Sequence, residues 1–159
     1  SRAPRAEGEA WWAFHGSGGP IFWVEFKIGS LRAWPGGGPQ TLPWPAPPPL
    51  FAFCALGHPK AFFADLLVAG LPWLGTRSFR DHQAISPRRF LLMQEEARQR
   101  GAAALICTEK DIVKFTPIHA ALCGLPLYVA QQEVVGGEAL LEWIESRLIS
   151  LDPPPPSPA

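Results

Sequence analysis

Two short polar stretches carry residue types able to do chemistry. Asp81-His82-Gln83 follows an apolar run, and Thr108-Glu109-Lys110-Asp111 follows another. An imidazole beside a carboxylate can act as a base, a proton shuttle or a brace for a further carboxylate, and histidine alone titrates near neutrality without large perturbation. The bland alternative is that Asp81 caps a turn and His82 is a solvated loop residue. Glu109, Lys110 and Asp111 at a helix start can bind an anion or organise a neighbouring loop. Equally, Thr108 caps the helix, the two acids favour its dipole and Lys110 is solvated. Arg77, Arg80, Arg88 and Arg89 surround the Asp81 stretch, and suit phosphate, an anionic membrane surface or a solvated rim.

Other sequence features are weaker. His58 follows Gly57 at a helix start, where an anion is one option and a surface loop the other. His15 precedes a Gly-Ser-Gly-Gly run without the strand-turn-helix context of an oxyanion loop. Neither that run nor Gly36-Gly37-Gly38 has the lysine and hydroxyl of G-x-x-x-x-G-K-[ST], so neither is a nucleotide phosphate loop. Cys54, Cys107 and Cys123 are odd in number and lack C-x-x-C spacing, which suggests neither a disulfide framework nor zinc. Cys54 and Cys107 lie in apolar runs and read as small buried hydrophobes.

The elements that must position these residues alternate. Leu50–Leu56 is continuously apolar, as a strand covered on both faces requires. Pro59 starts a helix in which Phe62/Leu66 and Phe63/Leu67 repeat, with Gly70 as its stop. Leu71–Phe79 is a second strand, interrupted by Pro72. Ser86-Pro87 starts a helix with Phe90, Met93 and Ala97 on one face and Gly101 at its end. Ala102–Cys107 is a third strand, followed by a short helix capped by Thr108. Leu125–Ala130 is the fourth. Glu138–Ile149 is a final helix with Leu140, Ile144 and Leu148 on one side.

The expected fold class is therefore α/β, a small mainly parallel sheet of about four strands flanked by helices. In such a sheet ligands meet the loops beyond the strands' carboxyl ends, here Gly57-His58, 80–84 and 108–111. Residues 1–20 form an irregular flank and 50–150 the α/β lobe. Residues 21–49 hold a candidate two-stranded link and a Pro/Gly-rich linker, with Ile21–Lys27 pairing Leu31–Trp34 across Gly29-Ser30. The Pro-rich 151–159 reads as a disordered tail. The tryptophans before residue 50 (Trp11, Trp12, Trp23, Trp34, Trp44) suit an interfacial patch or, the favoured reading, packing against another domain.

Composition narrows the function. The formal net charge is +0, which gives no electrostatic footprint for nucleic acid. No apolar run reaches the ~18 residues of a membrane span, and no secretory leader pattern opens the sequence. With 159 residues there is room for one domain with a real core plus tails.

Three segments, Phe51–Phe63 (FAFCALGHPKAFF), Phe79–Gln83 (FRDHQ) and Ala104–Lys114 (ALICTEKDIVK), in this order and spacing, resemble the C-terminal domain of tetraacyldisaccharide 4'-kinase. The resemblance covers roughly Leu50 to Ile144. It implies a two-lobed α/β enzyme that phosphorylates a lipid A precursor with ATP and Mg2+ at the cytoplasmic face of the inner membrane, as a peripheral protein. The phosphate loop, the Mg2+ carboxylates and a catalytic Asp belong to an N-terminal lobe that this sequence lacks. On this resemblance this chain alone binds neither cofactor, and its partners are that lobe, the lipid A disaccharide precursor and the membrane surface.

By the same resemblance, His82 matches the histidine that pairs with the catalytic Asp of the other lobe. Asp81 and Glu109-Lys110-Asp111 match motif positions without individual roles, and Ile21–Trp34 corresponds to a two-stranded link. Cys54-Ala55-Leu56 departs from the family pattern, where a Gly is common. The competing reading is a non-catalytic α/β module that binds a partner through its aromatic N-terminal region. A hydrolase built on His15 or His82 is weaker, since no nucleophile is placed beside either.

Overall fold

The computed structural model describes residues 20–42, 44–81 and 83–149. The chain divides into two compact units, Lys27–Glu133 and a second made of Ser1–Phe26 with Val134–Ala159.

The strands are β1 (Glu25–Trp34), β2 (Pro39–Thr41), β3 (Leu50–Cys54), β4 (Trp73–Ser78), β5 (Ala104–Thr108) and β6 (Leu127–Val135). The helices are α1 (Pro59–Val68), α2 (Pro87–Gln99), α3 (Glu109–Ile112), α4 (Pro117–Ala121) and α5 (Glu138–Ile149). One sheet results, in the order β2-β1-β6-β5-β3-β4. The four strands expected from the alternation are β3, β4, β5 and β6. The β3–β4, β3–β5 and β5–β6 pairs are all parallel. To these the fold adds β1 and its antiparallel partner β2, giving six.

The apolar run of β3 follows from its place inside the sheet. All five of its residues are buried, and a strand's side chains alternate between faces. Phe51 and Phe53 enter a core with Phe90, Met93, Leu105 and Val129. Leu50, Ala52 and Cys54 enter the opposite core with Phe62, Leu66 and Ile106. Helices α2 and α1 thus supply opposite covers. Pro87 starts α2 behind Ser86, whose Oγ accepts the Arg89 N–H at 3.4 Å. Gly70 and Gly101 end α1 and α2 with φ of +73° and +79°, the region glycine enters without steric cost.

The first hairpin corrects the expected turn. β1 runs unbroken through Gly29 and Ser30 and pairs Leu31 with Gln40. The reversal falls instead at residues 35–38, where Gly36 has φ +72° and the Gly37 N–H bonds Ala33 O at 3.0 Å. Gly29 serves a different purpose: a Cβ there would meet the Glu133 carboxylate. The Pro/Gly-rich segment also supplies β2, an edge strand, where a missing N–H is tolerated.

Two of the tryptophans, Trp34 and Trp44, correct a second expectation. Trp34 packs edge-on against Phe115 and Trp44 against Tyr128, both on the domain's own core. Trp11 and Trp12 lie outside the described residues. In the second unit, Phe22 contacts Trp143 of α5 with ring centroids 5.6 Å apart, and Arg147 lies over the same indole. Helix α5 forms where expected, yet Ile144 and Leu148 remain exposed. Among the described residues no helix is long and apolar enough to cross a membrane.

Candidate functional site

The loops beyond β3, β4 and β5 meet at the carboxyl end of the parallel strands, as the topology requires. The structure brings together two of the predicted residues, Asp81 after β4 and Lys110 in α3, with Nζ and Oδ1 3.5 Å apart. Both side chains are 45% exposed, so this pair orders the rim more than it stabilises the fold. The Asp81 carboxylate also faces the β3 loop, where a Cβ on Gly57 would stand 3.4 Å from Oδ2. Three loops thus converge on one carboxylate.

Asp111 does something different. It is 2% exposed and lies beneath the rim. Both of its oxygens accept the buried Ala55 N–H at 3.2 Å, and Oδ2 accepts the Thr108 hydroxyl at 2.7 Å. Thr108 Oγ1 in turn accepts the Asp111 N–H at 3.2 Å, closing the helix cap. A single carboxylate therefore ties the end of β3 to the start of α3. Lys114 Nζ stands 3.8 Å from Oδ1, buried and without a hydrogen bond. Burial first, and the Asp111 charge second, push the Cys54 thiol up to about 12. The Cys107 thiol is also held well above its ordinary value, by burial first and the Asp111 charge second. Neither cysteine is a ready nucleophile.

Glu109 faces away from Asp81. Its Oε1 accepts from Gln131 Nε2 at 3.4 Å, and Gln131 Oε1 accepts the Ser30 hydroxyl at 3.2 Å. This chain joins α3, β6 and β1. His58 is exposed at the start of α1 and makes no side-chain cap. His82 and His15 lie outside the described residues.

Sequence reasoning passed over His119. It is 3% exposed, stacked on Phe115 at 4.5 Å, with Nε2 2.9 Å from Ile85 O and Nδ1 3.1 Å from Thr116 N. Since Thr116 N–H can only donate, Nδ1 accepts and Nε2 carries the proton to the Ile85 carbonyl. His119 thereby anchors the far end of the loop that begins at Asp81. Its helix, α4, begins with Thr116-Pro117, the same cap-then-proline signal as Ser86-Pro87. Gln94 was missed likewise: its side chain donates to Leu122 O at 3.0 Å and accepts the Gly124 N–H at 2.7 Å.

The acids are committed, Asp111 to Ala55, Glu109 to Gln131 and Asp81 to Lys110. Among the described residues no cluster of three His, Cys, Asp or Glu side chains could hold a metal.

Comparison with known proteins agrees with the motifs. The tetraacyldisaccharide 4'-kinase of Desulfotalea psychrophila is 38% identical over 85 residues, covering 54% of this chain and 24% of that protein. The Xanthobacter autotrophicus protein of the same name is 35% identical over 109 residues, covering 62% and 32%. The chain thus spans between a quarter and a third of the length of these relatives. A crystal structure of LpxK from Aquifex aeolicus in complex with ATP shares the fold, with TM-score 0.50 and 17% identity over 91% of this chain and 45% of that one. Residues 17–149 match the family model described as Tetraacyldisaccharide-1-P 4'-kinase. The chain belongs to that family.

Proposed function

We propose that this chain is the C-terminal portion of an ATP-dependent lipid kinase acting on the 4'-hydroxyl of a tetraacyldisaccharide 1-phosphate. In this reading residues 50–150 form the C-terminal lobe and 21–49 the link and linker. ATP and Mg2+ belong to a separate P-loop lobe. The enzyme works as a peripheral protein at the cytoplasmic face of the inner membrane. The observation that carries the reading is the convergence of the β3, β4 and β5 loops on Asp81, within the region matching the family.

The proposed chemistry of this chain's own residues is positional. His82 orients the carboxylate of the other lobe that takes the proton from the sugar hydroxyl. Asp81, paired with Lys110, orders the loop whose sequence carries His82. Asp111 fixes the neighbouring loop from below. Dividing the acid and the imidazole between two lobes makes proton transfer depend on their closure.

With the P-loop lobe present, His82→Ala is expected to lower kcat by about 10²–10⁴-fold, the usual worth of base assistance. An unchanged kcat rejects the role. The 159-residue chain alone is expected to bind no ATP in calorimetry, and micromolar binding would reject the division of labour.

A further inference from the structure

Among the described residues one histidine is buried, His119 of α4, and the proposed chemistry gives it no part. Its partner outside α4 is the loop of residues 79–86, which leads from β4 to α2 and carries Asp81. Contacts along its length hold that loop. At its start the Phe79 N–H donates to Cys54 O at 2.8 Å. In its middle Lys110 meets Asp81, and the Gln83 N–H closes a turn on Arg80 O at 2.9 Å. At its end the Ile85 carbonyl accepts from His119 Nε2 at 2.9 Å.

The other edge of the ring decides which form of the imidazole can hold Ile85. Nδ1 lies 3.1 Å from Thr116 N and 3.0 Å from Thr116 Oγ1. The hydroxyl can turn to accept from a protonated Nδ1, but the backbone N–H can only donate. A proton on Nδ1 therefore sets two donors face to face. Both ring nitrogens satisfy their partners only in the neutral, Nε2–H form.

The surroundings offer no acid to a positive charge. The ring's neighbours are Phe115, stacked at 4.5 Å, and Phe90 of α2, edge-on at 5.7 Å. On α2, Arg88 and Arg89 are exposed, Glu95 pairs with Arg98, and Glu96 pairs with Arg77 and Arg100. Before α4, Lys114 stands against Asp111; after it, the Cys123 thiol donates to Leu125 O at 3.2 Å. In the loop, Asp81 faces Lys110. The ring takes up a proton once it has left its site, so falling pH favours release.

We propose that His119 is a proton-operated latch on the site loop. Neutral, it holds residues 79–86 against α4; protonated, it lets go, and the loop that carries Asp81 loosens. The latch does not depend on the kinase reading, because it is measured in this chain without ATP or another lobe.

Hydrogen exchange on the full 159-residue chain tests it, from about pH 7.5 to about 5, where histidines ordinarily titrate. Protection is taken relative to the intrinsic exchange rate at each pH. At Thr116 N–H and Gln83 N–H it is expected to fall at least about tenfold across this range. A proton bound by the open form alone shifts opening by up to about tenfold per pH unit. Leu105 N–H in the core sheet, bonded to Pro126 O, is the reference. His119→Gln keeps a donor for Ile85 O and does not titrate, so its Gln83 protection should not change with pH. That variant retains His82 and the other histidines, so a fall of the same size in it overturns the proposal. His119→Asn keeps an acceptor for the Thr116 N–H but is too short to reach Ile85 O, and its Gln83 protection should be low throughout. An equal fall at Leu105 means global unfolding and overturns the latch, as does protection that stays flat with pH in the natural chain. The ¹⁵N shifts of the ring at about pH 7.5 need no variant: the Nε2–H tautomer is expected, and the Nδ1–H tautomer overturns the proposal.

Discussion

Removing the carboxylate of Asp111 is expected to cost more stability than any other single change at the rim. In Asp111→Ala the Ala55 N–H, fully buried, loses its acceptor. An orphaned buried donor costs about 1–3 kcal/mol. The 2.7 Å bond from Thr108 is charge-assisted, and its loss adds about 1–2 kcal/mol. Lys114 is left with a buried ammonium and no counter-charge, but its side chain is 23% exposed and can turn outward, which limits this part to about 1 kcal/mol. The sum is roughly 3–6 kcal/mol. In urea, with a slope of about 2 kcal/mol per molar for a domain of this size, the midpoint falls by about 2 M. Circular dichroism on the 159-residue chain measures this. A shift below about 0.5 M would refute the claim that one carboxylate joins β3 to α3. Asp111→Asn keeps the shape and gives a smaller loss, so the test survives if the alanine variant is unfolded. Lys114→Met separates the last contribution: in its background Asp111→Ala costs about 1 kcal/mol less.

Further outcomes follow from the same packing. The Cys54 thiol moves from 9.0 to about 12 on folding, so the native state holds its proton more tightly than the unfolded chain. Its contribution to stability is complete below about pH 9 and is lost as pH rises toward about 12, reaching roughly 4 kcal/mol by linkage; urea midpoints measured across this range check it. Asp111→Asn, by removing the second cause of the shift, should move the onset of thiolate absorbance to lower pH. Gly75→Ala places a Cβ 2.9 Å from the buried Phe51 ring and 2.7 Å from Arg100 Cδ, and is expected to cost about 1–3 kcal/mol. Gly29→Ala meets only the flexible tip of exposed Glu133 and should cost under about 1 kcal/mol, both read by urea unfolding.

What the sequence made legible was what local chemistry decides. Ser86-Pro87, Pro59 and the Thr108/Asp111 pair each announce a helix start by a hydrogen-bond acceptor or a preset φ, and each starts one. The run at β3 announces burial on both faces, and both cores receive it. Gly29-Ser30 misled because a glycine signals a turn only when its backbone needs positive φ. This one lies within a strand, and the space beside it is taken by the flexible carboxylate end of Glu133, a residue about a hundred positions away. β2 was hidden because three residues at an edge carry too little pattern to separate from a Pro/Gly-rich loop. His119 was hidden for a different reason. Its partners, Ile85 and Phe115, come together only once the β4 loop has folded over α4.

The same distinction separates the three charged residues at the start of α3. Thr108-Glu109-Lys110-Asp111 reads in sequence as one polar cluster, with capping and ligand binding as rival explanations. The structure divides the stretch by direction, because successive residues of a helix point about 100° apart. Asp111 turns inward and caps, serving both its own helix and the β3 end. Lys110 turns along the rim to Asp81, and Glu109 turns to Gln131. Capping and site organisation are therefore not rivals at this helix. The cap that fixes Asp111 is what fixes the direction of Lys110, so a fault in the buried bond should reach the rim. Asp111→Asn should then loosen the Asp81 loop as well as destabilise the fold. Hydrogen exchange at Gln83 N–H, which bonds Arg80 O within that loop, reads this directly. Faster exchange there, beyond the change in the core strands, is the expected result. A change confined to the global rate would show that the rim is held by the sheet alone and that Lys110 contributes nothing to it.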